Sequence, residues 1–265
     1  MPIEKPKLNV ISEEQFHEID YLVMKQAFAT QNALGHFYDE QIYNNELARL
    51  CLDEGFDSVE TEVPVTVFHK DFRKTYFLDL LINRSVVYEL KTVRAFDGNH
   101  RRQLLNYLLL CCLHHGKLIN FRSPRVSHEF VSTTLDSEKR GEYCFHMDEW
   151  QERDLESAQL RCIFEELLAD WGAFLESSLY MDAAVHFLGG TDKVKCAIDV
   201  HQGNTVVGRQ AFNLLNENTA FFITAIKHKN DYRKHLKTLL GNTSIECVQW
   251  INLNNHDVDF ITISE

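Results

Sequence analysis

The chain has 265 residues, of which 45% are hydrophobic and 25% are charged, and its formal net charge is −12. This composition is typical of a globular protein with one large core or two smaller ones, and it excludes a disordered chain. No apolar run approaches the roughly 18 residues that a membrane-spanning helix needs. Residues 1–10 carry charges and two prolines instead of an apolar block. We therefore expect a cytoplasmic protein with no signal peptide and no membrane partner.

In chain order, apolar patterning predicts a helix, a second helix, three strands, a third helix and two more strands. Ser12 and Gln15 have capping-box spacing, so the first helix is expected to begin after Ser12 and to run to about Ala33. The second helix is expected from Glu40 to about Glu54, and the third contains Gln103. The strands are expected at residues 62–69, 72–82, 86–93, 117–121 and 128–133.

The strongest candidates for chemistry are Asp79, Glu89 and Lys91, which lie on two apolar strands of a predicted hairpin. Side chains alternate along a strand, so Glu89 and Lys91 share a face that Asp79 can approach from the neighbouring strand. Charges on apolar strands are costly, and a divalent cation is one way to compensate for them. Oxygen-only ligation favours magnesium or manganese over zinc. Taken alone, so short a motif more often has a structural role as a charge pair.

Further polar residues could join this site. Gln103 and Tyr107 are spaced to share one helical face, and Glu40 lies on the second helix. The net negative charge opposes a nucleic-acid partner, because phosphate contacts come from Lys and Arg. However, the segment from Lys91 to Arg125 has seven basic residues and one acidic residue. This segment is either a phosphate-binding patch or a solvated surface. The candidate phosphate contacts are Arg94, Arg101, Arg102, Lys117, Arg122 and Arg125.

Several of these motifs together resemble the GxxExxY proteins of the PD-(D/E)XK nuclease superfamily, over about residues 20–132. The motifs are residues 35–43, Asp79, Glu89-Leu90-Lys91, the Gln103 to Tyr107 pair and residues 118–121. One departure is Phe37, which stands where the family motif has glycine, whereas Glu40 and Tyr43 keep their places.

The resemblance implies a restriction-endonuclease-like α/β core and magnesium-dependent hydrolysis of phosphodiester bonds. It implies Asp79 and Glu89 as magnesium ligands, with the Leu90 carbonyl as a further ligand. Lys91 would orient or help deprotonate the attacking water and stabilise charge on the phosphate. Glu40 would add a ligand or hold a water. Gln103 and Tyr107 would position the substrate or the metal shell, although an ordinary helix face explains them equally well.

The second half of the chain repeats parts of the first. Residues 35–43 match residues 172–180 at Gly, Phe and Tyr, and Ile119 and Asn120 recur as Ile251 and Asn252. We therefore predict a duplicated fold: a nuclease-like domain at 1–134, an acidic linker at 135–156, and a degenerate second lobe at 157–265. Chance is the alternative, because helical and strand patterns are common. In the proposed register Glu40 falls on Ser177, Asp79 on Asn213, Glu89 on Ile223, Lys91 on Ala225, Gln103 on His235 and Tyr107 on Leu239.

The sequence thus predicts a magnesium-dependent nuclease for DNA or RNA, with manganese as a possible substitute. One alternative is a catalytically silent module that binds nucleic acid or protein on a nuclease fold. Another is an interaction scaffold in which the second lobe binds a protein partner. The complete triad favours the nuclease, and the acidic charge favours the alternatives. The seven cysteines have no CxxC spacing, so buried thiols are expected rather than disulfides or zinc ligands.

Overall fold

The computed structural model describes residues 1–264, which divide into two compact units of mixed α/β structure. The N-terminal unit comprises residues 2–68 and 73–137. The C-terminal unit comprises residue 1, residues 69–72 and the chain from residue 138 onwards. Within residues 1–264, every helix is too short or too polar to cross a bilayer.

The N-terminal unit contains a six-stranded mixed sheet and three helices. Its elements are β1 (Ile3–Glu4), α1 (Glu13–Leu34), α2 (Glu40–Glu54), β2 (Val59–His69), β3 (Phe72–Ile82), β4 (Val86–Lys91), α3 (Gly98–Cys111), β5 (His115–Asn120) and β6 (Ser127–Ser132). The strand order in the sheet is β1-β2-β3-β4-β5-β6. Strands β4 and β5 are parallel and connected through α3, whereas β3–β4 and β5–β6 are antiparallel.

The first two helices confirm the sequence prediction to within one residue. The capping box is present: the Gln15 N–H donates to Ser12 Oγ at 3.2 Å and the Ser12 N–H donates to Gln15 Oε1 at 3.0 Å. Gly35 and Gly55 end α1 and α2 with φ of 77° and 99°, a region that favours glycine. The apolar side chains of both helices pack with those of β3, β4 and β5 in one core cluster.

The predicted hairpin of β3 and β4 is confirmed. Asn83 and Arg84 both have positive φ, 51° and 52°, which is the signature of a type I′ turn. This turn sets Leu80 opposite Tyr88. One step further along the hairpin, Asp79 and Glu89 therefore face each other.

The C-terminal unit contains a four-stranded sheet, a separate strand pair and several helices. Its sheet has the order β10-β11-β12-β7, with β10–β11 and β12–β7 parallel and β11–β12 antiparallel, and β8 pairs with β9. The elements from residue 137 onwards are α4 (Ser137–Gly141), β7 (Cys144–Glu149), α5 (Leu155–Trp171), α6 (Ser177–Phe187), α7 (Thr191–Val194), β8 (Lys195–Gln202), β9 (Thr205–Asn213), β10 (Thr219–Thr224), α8 (Lys229–Gly241), β11 (Cys247–Asn254) and β12 (Asp257–Ser264).

Residues 135–156, predicted as an acidic linker, are not a linker. They contain α4 and β7, and β7 pairs with β12, with Cys144 opposite Asp257. Strand β7 lies at the edge of its sheet and most of its side chains are exposed, which explains the polar composition that suggested a linker. The boundary between the units lies near residue 137 instead.

The cysteine prediction is partly wrong. All seven cysteines lie within the described residues and are free thiols. Cys51, Cys111 and Cys247 are buried as expected, but Cys112, Cys144 and Cys162 are exposed.

Candidate functional site

Four charged side chains of the N-terminal unit converge at the end of β4. The Lys91 Nζ lies 2.6 Å from Glu89 Oε1, 3.7 Å from Glu40 Oε1 and 4.0 Å from Asp79 Oδ2. The carboxylates come from three elements: α2, β3 and β4. One ammonium group therefore faces three carboxyl groups, and the site carries excess negative charge when all are ionised.

Backbone N–H groups hold two of these carboxyl groups in place. The Leu90 N–H donates to Asp79 Oδ2 at 2.7 Å, and the Thr92 N–H donates to the Glu40 carboxylate. The Asn44 Nδ2 donates to the Asp79 carbonyl at 2.8 Å, which ties α2 to β3. These bonds place Glu40 and Asp79 beside the end of β4.

Asn120, which the sequence placed in the motif at 118–121 and in the repeat but not among the candidate site residues, fixes the backbone just beyond Lys91. Its Oδ1 accepts the Val93 N–H at 3.1 Å and its Nδ2 donates to the Val93 carbonyl at 2.8 Å. The side chain is fully buried, and its neighbours in the chain, Ile119 and Phe121, are apolar and fully buried as well. A buried asparagine must find hydrogen-bond partners, so an isolated asparagine in an apolar run was a usable sequence signal.

Glu62 is a second residue that sequence analysis missed. It lies within β2 with φ of 50°, a strained conformation for a residue other than glycine. After burial, which is the main cause, repulsion from the Glu62 carboxylate is a minor cause of the raised pKa of Asp79 and of Glu40. No local sequence pattern marks this residue, because its place at the site depends on a backbone distortion.

Burial and mutual repulsion shift the ionisation of the site. Burial, followed by repulsion from Asp79, raises the pKa of Glu89 to about 8. Burial also raises the pKa of Asp79 to about 6 and shifts the pKa of Glu40 upward. Burial lowers the pKa of Lys91, but attraction to Glu89 and the other carboxylates outweighs it, so that pKa is raised overall. Lys91 is therefore an ammonium group at neutral pH.

The donor atoms of the site fit a hard divalent cation. Glu89 Oε2 is buried without a hydrogen-bond partner, and Glu89 is only 1% exposed. An unsatisfied carboxylate oxygen is costly, and a cation would satisfy it. In residues 1–264, no three His, Cys, Asp or Glu side chains are arranged to hold one metal ion. Magnesium commonly takes one or two carboxylates and completes its shell with other oxygens, so Asp79, Glu89 and the Leu90 carbonyl suit it.

Gln103 and Tyr107 contact each other, as their spacing predicts. The Gln103 Nε2 donates to Tyr107 Oη at 2.9 Å. The Tyr107 ring packs edge-on against Tyr76, with 5.9 Å between ring centroids. Tyr76 lies on β3, three residues before Asp79. The pair therefore lies beside the strand that carries Asp79.

Lys117 does not face solvent, contrary to the sequence prediction of a phosphate contact. It is 6% exposed and forms an ion pair with buried Asp20. Its strand, β5, lies inside the sheet, where the local basic character of the sequence does not imply a surface charge. Arg101 is exposed but pairs with Glu129, and Arg102 donates to a neighbouring asparagine. The ion pair with Glu129 reduces the positive charge that Arg101 offers to a phosphate, whereas Arg102 keeps its charge because asparagine is neutral.

The other three predicted basic contacts are Arg94, Arg122 and Arg125, of which Arg122 is half-buried. Arg94 and Arg125 are exposed. The Arg122 Nε donates to the Thr92 carbonyl at 3.4 Å, so this guanidinium group lies close to the residue whose N–H binds Glu40. Arg122 is the basic side chain with the clearest connection to the carboxylate cluster.

A family model described as the PD-(D/E)XK nuclease superfamily matches residues 17–132, which include all four converging side chains. No curated protein matches the chain. A solved structure described as "Crystal structure of SSO0001" aligns with 45% of this chain and 79% of its own length, at 21% identity and a TM-score of 0.26. That structural similarity is too low to support a conclusion. The similarity to nucleases thus lies within the N-terminal unit.

Proposed function

We propose that the N-terminal unit is a metal-dependent nuclease that hydrolyses phosphodiester bonds of DNA or RNA. The observation that carries this proposal is the convergence of Glu40, Asp79 and Glu89 around Lys91, with Glu89 Oε2 buried and unpartnered. The match of residues 17–132 to the PD-(D/E)XK nuclease superfamily supports it.

Each residue has a role that follows from its environment. Magnesium or manganese held by Asp79, Glu89 and the Leu90 carbonyl would polarise a phosphate oxygen and an attacking water. Lys91 carries a proton, so it donates hydrogen bonds and stabilises negative charge on the phosphate. Glu40 is the most exposed of the three carboxyl groups and can accept the proton of the water that attacks phosphorus.

The remaining predicted residues would act on the substrate. Gln103 and Tyr107 would position the strand to be cut beside β3. Arg94, Arg122 and Arg125 would contact its phosphates. Within the superfamily, the GxxExxY proteins are the proposed relatives. Glu40 and Tyr43 have the expected spacing, although Phe37 departs from the motif.

The C-terminal unit is, in our proposal, a degenerate copy of the N-terminal unit. Both contain two helices, three strands, a helix and two strands in the same order, apart from short additional elements. The Tyr43 hydroxyl donates to the Gly35 carbonyl, and the Tyr180 hydroxyl donates to the Gly172 carbonyl in the same way. These pairs lie in the segments that match in sequence.

A second equivalence supports a register for the copy that differs by one residue from the predicted one. The Asn252 side chain bonds both backbone polar groups of Ile226, as Asn120 does with Val93. Asn120 pairs with Lys91 across β4 and β5, and Asn252 pairs with Thr224 across β10 and β11. In this proposed register Thr224, rather than Ala225, would be equivalent to Lys91, and Phe222, rather than Ile223, would be equivalent to Glu89. Neither replacement preserves the chemistry, so the proposed role of this unit is to bind a protein partner.

Cleavage of labelled single- and double-stranded DNA and RNA tests the nuclease proposal. Wild type, Asp79→Ala and Lys91→Ala are compared in magnesium, manganese and EDTA, with Asp57→Ala and Lys7→Ala as controls at exposed positions. We expect metal-dependent cutting that both site variants reduce by about 100-fold or more, while the controls retain it. Circular dichroism verifies folding. If wild type cuts no substrate and calorimetry detects no magnesium binding, the nuclease proposal fails and the binding module is favoured.

A further inference from the structure

The loop between α1 and α2 exposes two aromatic rings to solvent. Phe37 is 79% exposed and Tyr38 is 48% exposed. Large apolar rings are usually buried, and a pair of neighbouring exposed rings frequently marks a binding surface. Phe37 also stands where the motif of the GxxExxY proteins, the proposed relatives, has glycine.

Buried contacts hold the loop in place. The fully buried Tyr43 donates its hydroxyl hydrogen to the Gly35 carbonyl at 3.0 Å and accepts the Tyr38 N–H at 3.2 Å. The Tyr43 ring stacks on Phe121, with 4.7 Å between centroids and 2° between ring planes. The exposed rings therefore stand on a fixed backbone, and binding a ligand there would require little ordering of the chain.

The loop adjoins the carboxylate cluster and a basic loop. Glu40, the next residue after the loop, begins α2 and reaches to within 3.7 Å of Lys91. The Gln31 Nε2, near the end of α1, donates to the carbonyls on both sides of Arg122, at 2.9 and 2.8 Å. Arg122 in turn contacts Thr92. The two rings, the Arg122 loop and the proposed catalytic residues thus belong to one continuous region.

Exposed aromatic rings beside a phosphate-cleaving site match one substrate class. In a duplex the base faces are stacked on each other, and a protein ring that inserts between them must first unstack them, whereas unpaired bases expose their faces. Single-stranded nucleic acid presents base faces to aromatic rings and phosphates to basic side chains. Arg122 and the exposed Arg125 supply that charge. Building on the nuclease proposal, we propose that Phe37 and Tyr38 form a stacking platform for unpaired bases, and that the substrate is single-stranded nucleic acid.

Fluorescence anisotropy in EDTA tests the platform without cleavage. The probes are a labelled single-stranded oligonucleotide, the same strand with abasic sites in place of its bases, and the matching duplex, each made as DNA and as RNA. The proteins are wild type, the Phe37→Ala/Tyr38→Ala double variant, and Tyr21→Ala. Tyr21 is a matched control because it is 75% exposed on α1, about 20 Å along the helix from the loop.

Wild type and Tyr21→Ala should bind the intact single strand at least about fivefold more tightly than the abasic strand. The double variant should lose this preference and bind the intact strand no better than the abasic one. The salt dependence of binding should stay the same, because phosphate contacts determine it. Comparison of the DNA probe with the RNA probe shows whether the protein prefers DNA or RNA.

Equal binding of intact and abasic strands by wild type overturns the platform, and so does a double variant with an undiminished preference. Tighter binding of the duplex than of the single strand overturns the single-stranded substrate. Each result leaves the nuclease proposal standing if wild type still cuts nucleic acid in magnesium. The nuclease proposal itself fails when wild type neither cuts any substrate in that separate assay nor binds magnesium by calorimetry.

Discussion

Glu89 is almost fully buried, and burial disfavours the charged form of its carboxyl group. One of its oxygens accepts a bond from Lys91, and the other is buried without a partner. Burial and the neighbouring Asp79 raise the pKa of Glu89 to about 8, so the group holds a proton at neutral pH. A cation that binds here must displace that proton, because a metal ligand has to be deprotonated.

Magnesium affinity should therefore increase with pH. Well below the Glu89 pKa of about 8, each pH unit changes the ionised fraction about tenfold. Calorimetric titrations at about pH 6.5 and about pH 8.5 should show a gain of at least about tenfold for wild type. The Glu89→Gln variant is the control, since it should bind weakly and with little pH dependence. A wild-type affinity that stays constant over this range would contradict the assignment of Glu89 as a ligand.

At the scale of elements, the close packing of β4, β5 and α3 supports the strand that carries Glu89 and Lys91. A Cβ atom on Gly116 would lie 2.9 Å from the Val87 carbonyl oxygen and 3.2 Å from the side chains of Leu104 and Leu108. Only glycine allows β5 to lie this close to both β4 and α3. The position of β4 thus depends on a residue with no side chain.

Gly116→Ala should destabilise the protein by about 1–3 kcal/mol, because the added methyl group overpacks this contact. Urea denaturation measures the change. Gly98→Ala is a suitable control: it lies in the same region of the fold, has no neighbouring atom within 4 Å of the new methyl group, and begins α3. We expect it to be neutral or to stabilise by up to about 1 kcal/mol, because alanine favours a helix. Equal stabilities for the two variants would argue against the packing described here.

At the scale of the whole molecule, each unit contains an asparagine that holds a backbone segment after a sheet strand. Asn120 bonds Val93 just beyond β4, and Asn252 bonds Ile226 just beyond β10. Both asparagines are fully buried. The two asparagines have the same structural role. Only the segment that Asn120 holds follows Lys91 and the carboxylate cluster.

Asn120→Ala and Asn252→Ala should therefore lower stability by similar amounts, about 1–3 kcal/mol each, because each leaves buried backbone groups unpaired. Urea unfolding followed by circular dichroism measures this loss. Magnesium titration distinguishes the two variants, since only Asn120→Ala should weaken magnesium binding. Weakened binding in Asn252→Ala would show that the C-terminal unit also contributes to the metal site, against the proposed loss of chemistry in that unit.

The sequence by itself determined the features that depend on residues close together in the chain. The Ser12 capping box, the turn at Asn83 and Arg84, and the placement of Asp79 and Glu89 on neighbouring strands all follow from local spacing and backbone preference. The candidate triad could be recognised for the same reason, since a turn of three residues, 83–85, connects its strands.

Only the tertiary structure decided the features that depend on distant residues. Lys117 is buried because Asp20, 97 positions away, pairs with it. Strand β7 is part of a sheet, and not a linker, because β12 lies beside it. Asn120 and Glu62 reach the site through packing and backbone distortion. Each of these features depends on which surfaces of the chain pack together on folding. The free energy of that burial cannot be read from residues that are neighbours in the sequence.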